Sequence, residues 1–103
     1  MVLAARAALV VLLLAPAAPV AAGGLATSLQ QAASRCFQGP SPARCDDVWS
    51  LSAALKKQAD SNDQLHCYTS VLTLEALVAM AERGQEEASR EQAALEGLTR
   101  DCP

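Results

Sequence analysis

Aromatic mass is scarce in this chain: Phe37, Trp49 and Tyr68 are the three aromatic residues among 103. A core built on large rings is therefore excluded, and Leu, Val and Ala must supply the buried surface. β-branched residues are few beyond the first twenty-two positions, and no apolar–polar alternation of period two occurs, which argues against strands. His66 is the one histidine. With the cysteines spaced as they are, no zinc knuckle can be read and no Cys-x-x-Cys redox pair is present. His66 and Cys67 are adjacent, and adjacent residues on a helix do not face each other, so a Cys–His catalytic couple is not built here. Basic residues are outnumbered, eight Lys and Arg against eleven Asp and Glu. Nucleic acid and anionic membrane would reward the opposite balance. Asn62 is the single asparagine and opens no Asn-x-Ser/Thr sequon.

What is present begins with an export pattern. Residues 1–22 read as a cleaved secretory signal peptide: Arg6, an uncharged apolar run from Ala7 to Ala15, then Pro16 and Pro19 before Val20-Ala21-Ala22. The small residues place cleavage after Ala22. A retained anchor would need about 20 uninterrupted apolar residues, and the two prolines interrupt this one. No membrane span is expected after cleavage. The remaining segment, 23–103, is read as a single small helical domain with seven basic and eleven acidic side chains. A chain of this size buries only about 60% of its unfolded surface and is marginal alone, which is why small exported domains so often carry disulfides.

The expected fold is all-α, a disulfide-stapled bundle of about four helices arranged as two consecutive antiparallel hairpins. The first helix is read from Ser28 to Phe37, with Thr27 or Ser28 as cap and Gly39-Pro40 as its stop. Ser41-Pro42 opens the second, whose apolar stripe is Val48, Leu51, Leu55 and Ala59. Ser61 and Gln64 fit a capping box for the third. That helix carries Leu65, Tyr68, Val71, Leu72, Leu74, Leu77, Val78 and Met80, a stripe wide enough for neighbours on two sides. Gly84 ends it. The fourth runs from about Glu86 to Arg100 on Ala88, Leu95 and Leu98, with Glu86–Arg90 and Glu96–Arg100 as i,i+4 pairs.

Four cysteines allow three pairings, and the turns discriminate among them. Cys67 precedes Gly84 by 17 residues and Cys102 follows it by 18. At about 1.5 Å per residue both arms are about 25 Å long, so a chain folded back at Gly84 brings the two sulfurs level. Cys36 and Cys45 flank Gly39-Pro40-Ser41-Pro42 in the same manner. Pairing Cys45 with Cys67 would instead leave about 15 Å of axial mismatch, against a bridging limit near 7 Å between Cα atoms. The pairing of Cys36 with Cys67 and Cys45 with Cys102 would join opposite ends of the bundle. Cys36–Cys45 and Cys67–Cys102 are the expected bridges.

Of the other side chains, Trp49 lies one helical turn after Cys45 and is expected to pack over the first bridge; its functional alternative is an interface anchor. His66, Lys56, Lys57 and the acidic series Glu82, Glu86, Glu87, Glu91 and Glu96 are expected on solvated faces. No catalytic, metal-binding or cofactor-binding residues can be named. The expectation is a small exported protein, extracellular or periplasmic, with a non-catalytic structural or protein-binding role towards another protein or an envelope component. Its alternative is a carrier holding a small apolar ligand between helices. The exported protein should begin at Gly23, and intact mass or Edman sequencing checks this; Met1 retained in a membrane fraction would reinstate the anchor.

Overall fold

The computed structural model describes residues 24–103, so the signal segment and the Gly23 terminus lie outside the described residues. Four helices follow one another: α1 (Gly24–Gln38), α2 (Pro42–Ser61), α3 (Leu65–Glu82) and α4 (Ala88–Asp101). Short turns reverse the chain three times. α1 packs on α2, α2 on α3 and α3 on α4, and α4 returns to α1, closing a four-membered ring. The Gln30 amide donates to the Leu95 carbonyl across the closing seam at 3.2 Å. This is an up-and-down bundle, with α3 flanked by α2 and α4 as its wide apolar stripe implies.

The core is aliphatic and sulfur-rich. Leu29, Val48, Val71, Leu74, Val78 and Leu98 are wholly buried, together with Cys36, Cys45 and Cys67. Phe37 is the one aromatic residue buried with them. Both bridges join the expected cysteines, with Cα–Cα distances of 4.9 Å for Cys36–Cys45 and 4.7 Å for Cys67–Cys102. Because α1 and α2 meet at one end of the bundle and the start of α3 meets the end of α4 at the other, the bridges clamp opposite ends. On chain-entropy grounds they stabilise by about 2.7 and 3.8 kcal/mol, the longer loop contributing more.

α1 is already helical at Gly24, the first described residue, so Ser28 lies inside the helix, and Ala26 and Leu29 continue inward the face that carries Ala32, Ala33 and Cys36. Thr27 and Ser28 are exposed residues of the first turns instead of caps. α2 starts as the sequence implies: Ser41 is extended, its hydroxyl accepts from the Arg44 amide at 3.2 Å, and Pro42 follows at the first helical position. Its stripe is Cys45, Val48, Ser52, Leu55 and Ala59, with Leu51 half-buried. Ser52 is the surprise, since its hydroxyl is buried with no hydrogen-bond partner, a defect that costs on the order of 1–3 kcal/mol.

The capping box at Ser61 does not form. Ser61 is the last residue of α2, and its hydroxyl donates to the Lys57 carbonyl at 3.0 Å. Gln64 stands at the start of α3 without a side-chain cap bond. Its backbone is committed elsewhere: the Gln64 amide donates to the Ala59 carbonyl at 2.8 Å and the Asp63 amide to Asp60 at 3.3 Å. These are the two bonds of a Schellman closure, with Asp63 at φ +55° where glycine is usual. The end of α3 repeats the motif with Gly84 at φ +81°, the Gln85 amide bonding Met80 and the Gly84 amide bonding Ala81, both at 2.9 Å.

α4 departs most from its expected pairing. It starts at Ala88, so Glu86 is not on the helix, and Arg90 pairs with Glu87 at 2.9 Å. Arg100 pairs with Asp101 at 3.2 Å rather than with Glu96, which accepts from Gln92. Ala88 is exposed and Leu95 half-buried, and Glu91, Ala94, Gly97 and Leu98 face inward. The two Schellman positions make a paired test. Asp63→Gly should stabilise by up to about 1 kcal/mol and Gly84→Ala should destabilise by about 1–2 kcal/mol, measured by urea unfolding with the bridges intact.

Candidate interaction surfaces

Once the ring is closed, three large apolar side chains stay in water among the described residues: Leu65 at 72% exposure, Leu72 at 45% and Trp49 at 37%. Trp49 thus does not join the core. Cys45 and Val48 already occupy the inward face of α2, and a residue one step further round sits about 100° away, at the rim. The outward leucines also correct the reading of α3, whose stripe is too wide for its neighbours to cover. Leu65, half-buried Tyr68 and Leu72 fall at i, i+3 and i+7 and so form one strip along the helix. The strip runs into a hollow of about 290 Å³ at the α2–α3 turn, lined by Ala59, Asp60, Asp63, Gln64, Leu65 and Tyr68. Beyond Leu72 it meets the Lys56–Glu75 ion pair, 3.0 Å long and half-buried between α2 and α3. Lys56 is thereby held across a helix seam rather than left solvated.

A second surface is the α3–α4 seam, an open groove of about 500 Å³. Thr69, Thr73, Ala76, Ala93 and Gly97 line much of it, with Arg90 and Arg100 among the groups on its rim. Small side chains here let the two helices approach closely. The Arg100 guanidinium donates to both Asp101 oxygens, at 3.2 and 3.3 Å, and the Ser70 hydroxyl of α3 donates to the same carboxylate. These hydrogen bonds, Arg100 first and Ser70 second, hold the Asp101 carboxyl below its ordinary range. The contact ties the last residue of α4 to α3, one position before the Cys67–Cys102 bridge. His66 is exposed on the first turn of α3, as expected.

The third surface lies at the α4–α1 seam, opposite the leucine strip around the ring. A hollow of about 270 Å³ is lined by Ser34, Phe37, Gln38, Ala88, Glu91, Gln92 and Leu95. Glu91 is not solvated: only 7% of the residue is exposed. No cation stands within ion-pair distance of it among the described residues, since Arg90 is engaged with Glu87 and Arg100 with Asp101. Burial pushes the Glu91 carboxyl above its ordinary range; the Glu87 backbone opposes this, and the charges of Glu86 and Glu87 reinforce it. The sequence carried the signal, because Glu91 precedes Ala94, Leu95 and Leu98 by three, four and seven residues and so shares their inward face.

No set of three or more His, Cys, Asp or Glu side chains converges to hold a metal ion among the described residues. No described helix is long and apolar enough to cross a membrane. The fold and its bridges define the class, a small disulfide-clamped four-helix bundle. No protein-family model, curated protein or solved structure matches the chain.

The Glu91 carboxyl gives a pH-dependent expectation. Its proton is held more tightly in the folded chain than in the unfolded one, so the ionised group opposes folding at neutral pH. That opposition fades as pH falls through the raised folded value. Glu91→Gln should therefore raise the urea midpoint at pH 7, with the gap to the parent closing in acid. A lower midpoint at pH 7 would mean that the carboxylate has a stabilising partner within the fold.

Proposed function

We propose that this is a small exported helical protein with a non-catalytic, protein-binding or structural role, acting through its surface on another protein or an envelope component. The observation that carries this reading is the strip Leu65–Tyr68–Leu72, uncovered on a bundle whose interior is otherwise closed. Contiguous apolar surface rimmed by polar groups is the usual mark of a contact site. Trp49, on the rim of α2, is a second candidate anchor. The two bridges support an oxidising compartment, because such bonds persist outside the reducing cytosol. They also hold the bundle rigid, so little ordering would be lost when a partner docks.

The test is positional photo-crosslinking in the native compartment. A photoreactive residue at Leu72 should give an adduct of defined mass, and one at exposed Glu96 should not. With the photoreactive residue kept at position 72, Leu65→Ser should sharply weaken the adduct while shifting stability by no more than about 0.5 kcal/mol. Equal adducts at positions 72 and 96, or substrate turnover abolished by a single substitution, would overturn the reading. The carrier alternative would use the α3–α4 groove, an open hollow of about 500 Å³. A reproducible bound hydrophobe in native mass spectrometry would favour it.

A further inference from the structure

Glu91 poses a question that the leucine strip does not answer. Glu91 is 7% exposed as a whole residue, and a carboxylate partly withdrawn from water without a pairing cation carries a cost. Here it lines a hollow that opens to solvent, and the surrounding groups share one chemistry. Ser34, Gln38 and Gln92 bring a hydroxyl and two amides. The Gln92 amide nitrogen is already donating to Glu96 at 3.2 Å, which leaves its oxygen to accept. Phe37 and Leu95 supply apolar walls. Arg35, the cation in the last turn of α1, makes no ion pair with Glu91. At about 270 Å³ the hollow falls just below the range of about 300–1,000 Å³ typical of whole small-molecule sites. It has the size for one side chain.

We propose that the α4–α1 hollow is a recognition pocket for an arginine side chain carried by a partner polypeptide, with the alkyl stem against Phe37 and Leu95 and the guanidinium on Glu91. A guanidinium offers five donors in a planar fork, and the carboxylate, two amide oxygens and hydroxyl supply acceptors around it. A lysine ammonium would satisfy fewer of them. The net acidity of the chain favours approach of a basic segment from a distance. The reading rests on a protein-binding role for the molecule but not on the leucine strip, which lies on the opposite seam. Failure of the pocket would therefore leave the crosslinking test at Leu72 unaffected.

The oxidised protein, ¹⁵N-labelled, is titrated with the blocked peptide Ac-Ala-Ala-Arg-Ala-Ala-NH₂. Its citrulline analogue, which keeps the shape and loses the charge, is titrated in parallel. Saturable shifts at the Gln38 and Gln92 side-chain amides are expected with the arginine peptide. Binding should weaken about 10-fold or more with citrulline, and by a similar factor in Glu91→Gln. Glu86→Gln removes an exposed acid outside the hollow and should leave binding within about two-fold, since a surface charge contributes little. Equal binding of the citrulline peptide, or equal losses in Glu91→Gln and Glu86→Gln, would overturn the pocket in favour of general acidity. Butylguanidine binding as tightly as the peptide would overturn the polypeptide part of the proposal. Unshifted Gln38 and Gln92 signals throughout would mean that water alone satisfies the carboxylate.

Discussion

Sulfur does in this bundle what aromatic rings do in most domains of its size. The four half-cystines are at most 5% exposed and belong with Leu29, Val48, Val71 and Leu98 to one continuous core. They fill volume between helices whose facing residues are largely alanine and leucine, and they also constrain the unfolded chain. Their placement follows from the topology. One bridge closes the α1–α2 turn and the other joins the free end of α4 to the start of α3, so neither end of the ring can splay alone. The Ser70–Asp101–Arg100 cluster reinforces the second clamp from outside.

With the ends fixed, the outer seams can differ in character. The α2–α3 seam carries leucines in water and one half-buried ion pair. The α3–α4 seam is a trough of small side chains bounded in part by arginines. The α4–α1 seam holds a buried acid among amides. Two of these features do nothing for the fold: exposed leucine adds nothing, and a sequestered carboxylate opposes it. The proposed contact strip and the proposed arginine pocket rest on these features, which lie on opposed faces of the ring.

The fold was legible in the sequence largely because its punctuation is strong. Gly39-Pro40, Ser41-Pro42 and Gly84 stand where the chain turns, and the equal arms about Gly84 were enough to choose a disulfide pairing. Misreadings arose where two local devices competed for one residue. Ser61 and Gln64 have the spacing of a capping box, but the Gln64 amide is spent on closing α2 in a Schellman turn that uses Asp63, an unusual residue for a left-handed position. The surface was harder to read. Polarity placed Glu91 outside although its spacing to Leu98 placed it inside. Trp49, placed inward by its spacing of four from Cys45, stands at the rim one position past buried Val48, and Leu72, counted into the apolar stripe of α3, is exposed. Spacing was the better guide for Glu91, whereas for Trp49 spacing from a single cysteine misled.

The position of Trp49 has an optical consequence. It is the chain's one tryptophan, it lies at the edge of α2, and Tyr68 is only half-buried. The indole already meets solvent in the native state, so its emission reports events at the rim of α2 better than loss of the core. Melting the bundle is followed more faithfully through helix ellipticity, and the near-ultraviolet signal of two buried cystines reports the clamps. Tryptophan fluorescence is left free to serve as a built-in sensor of anything that comes to rest on the bundle's outer face.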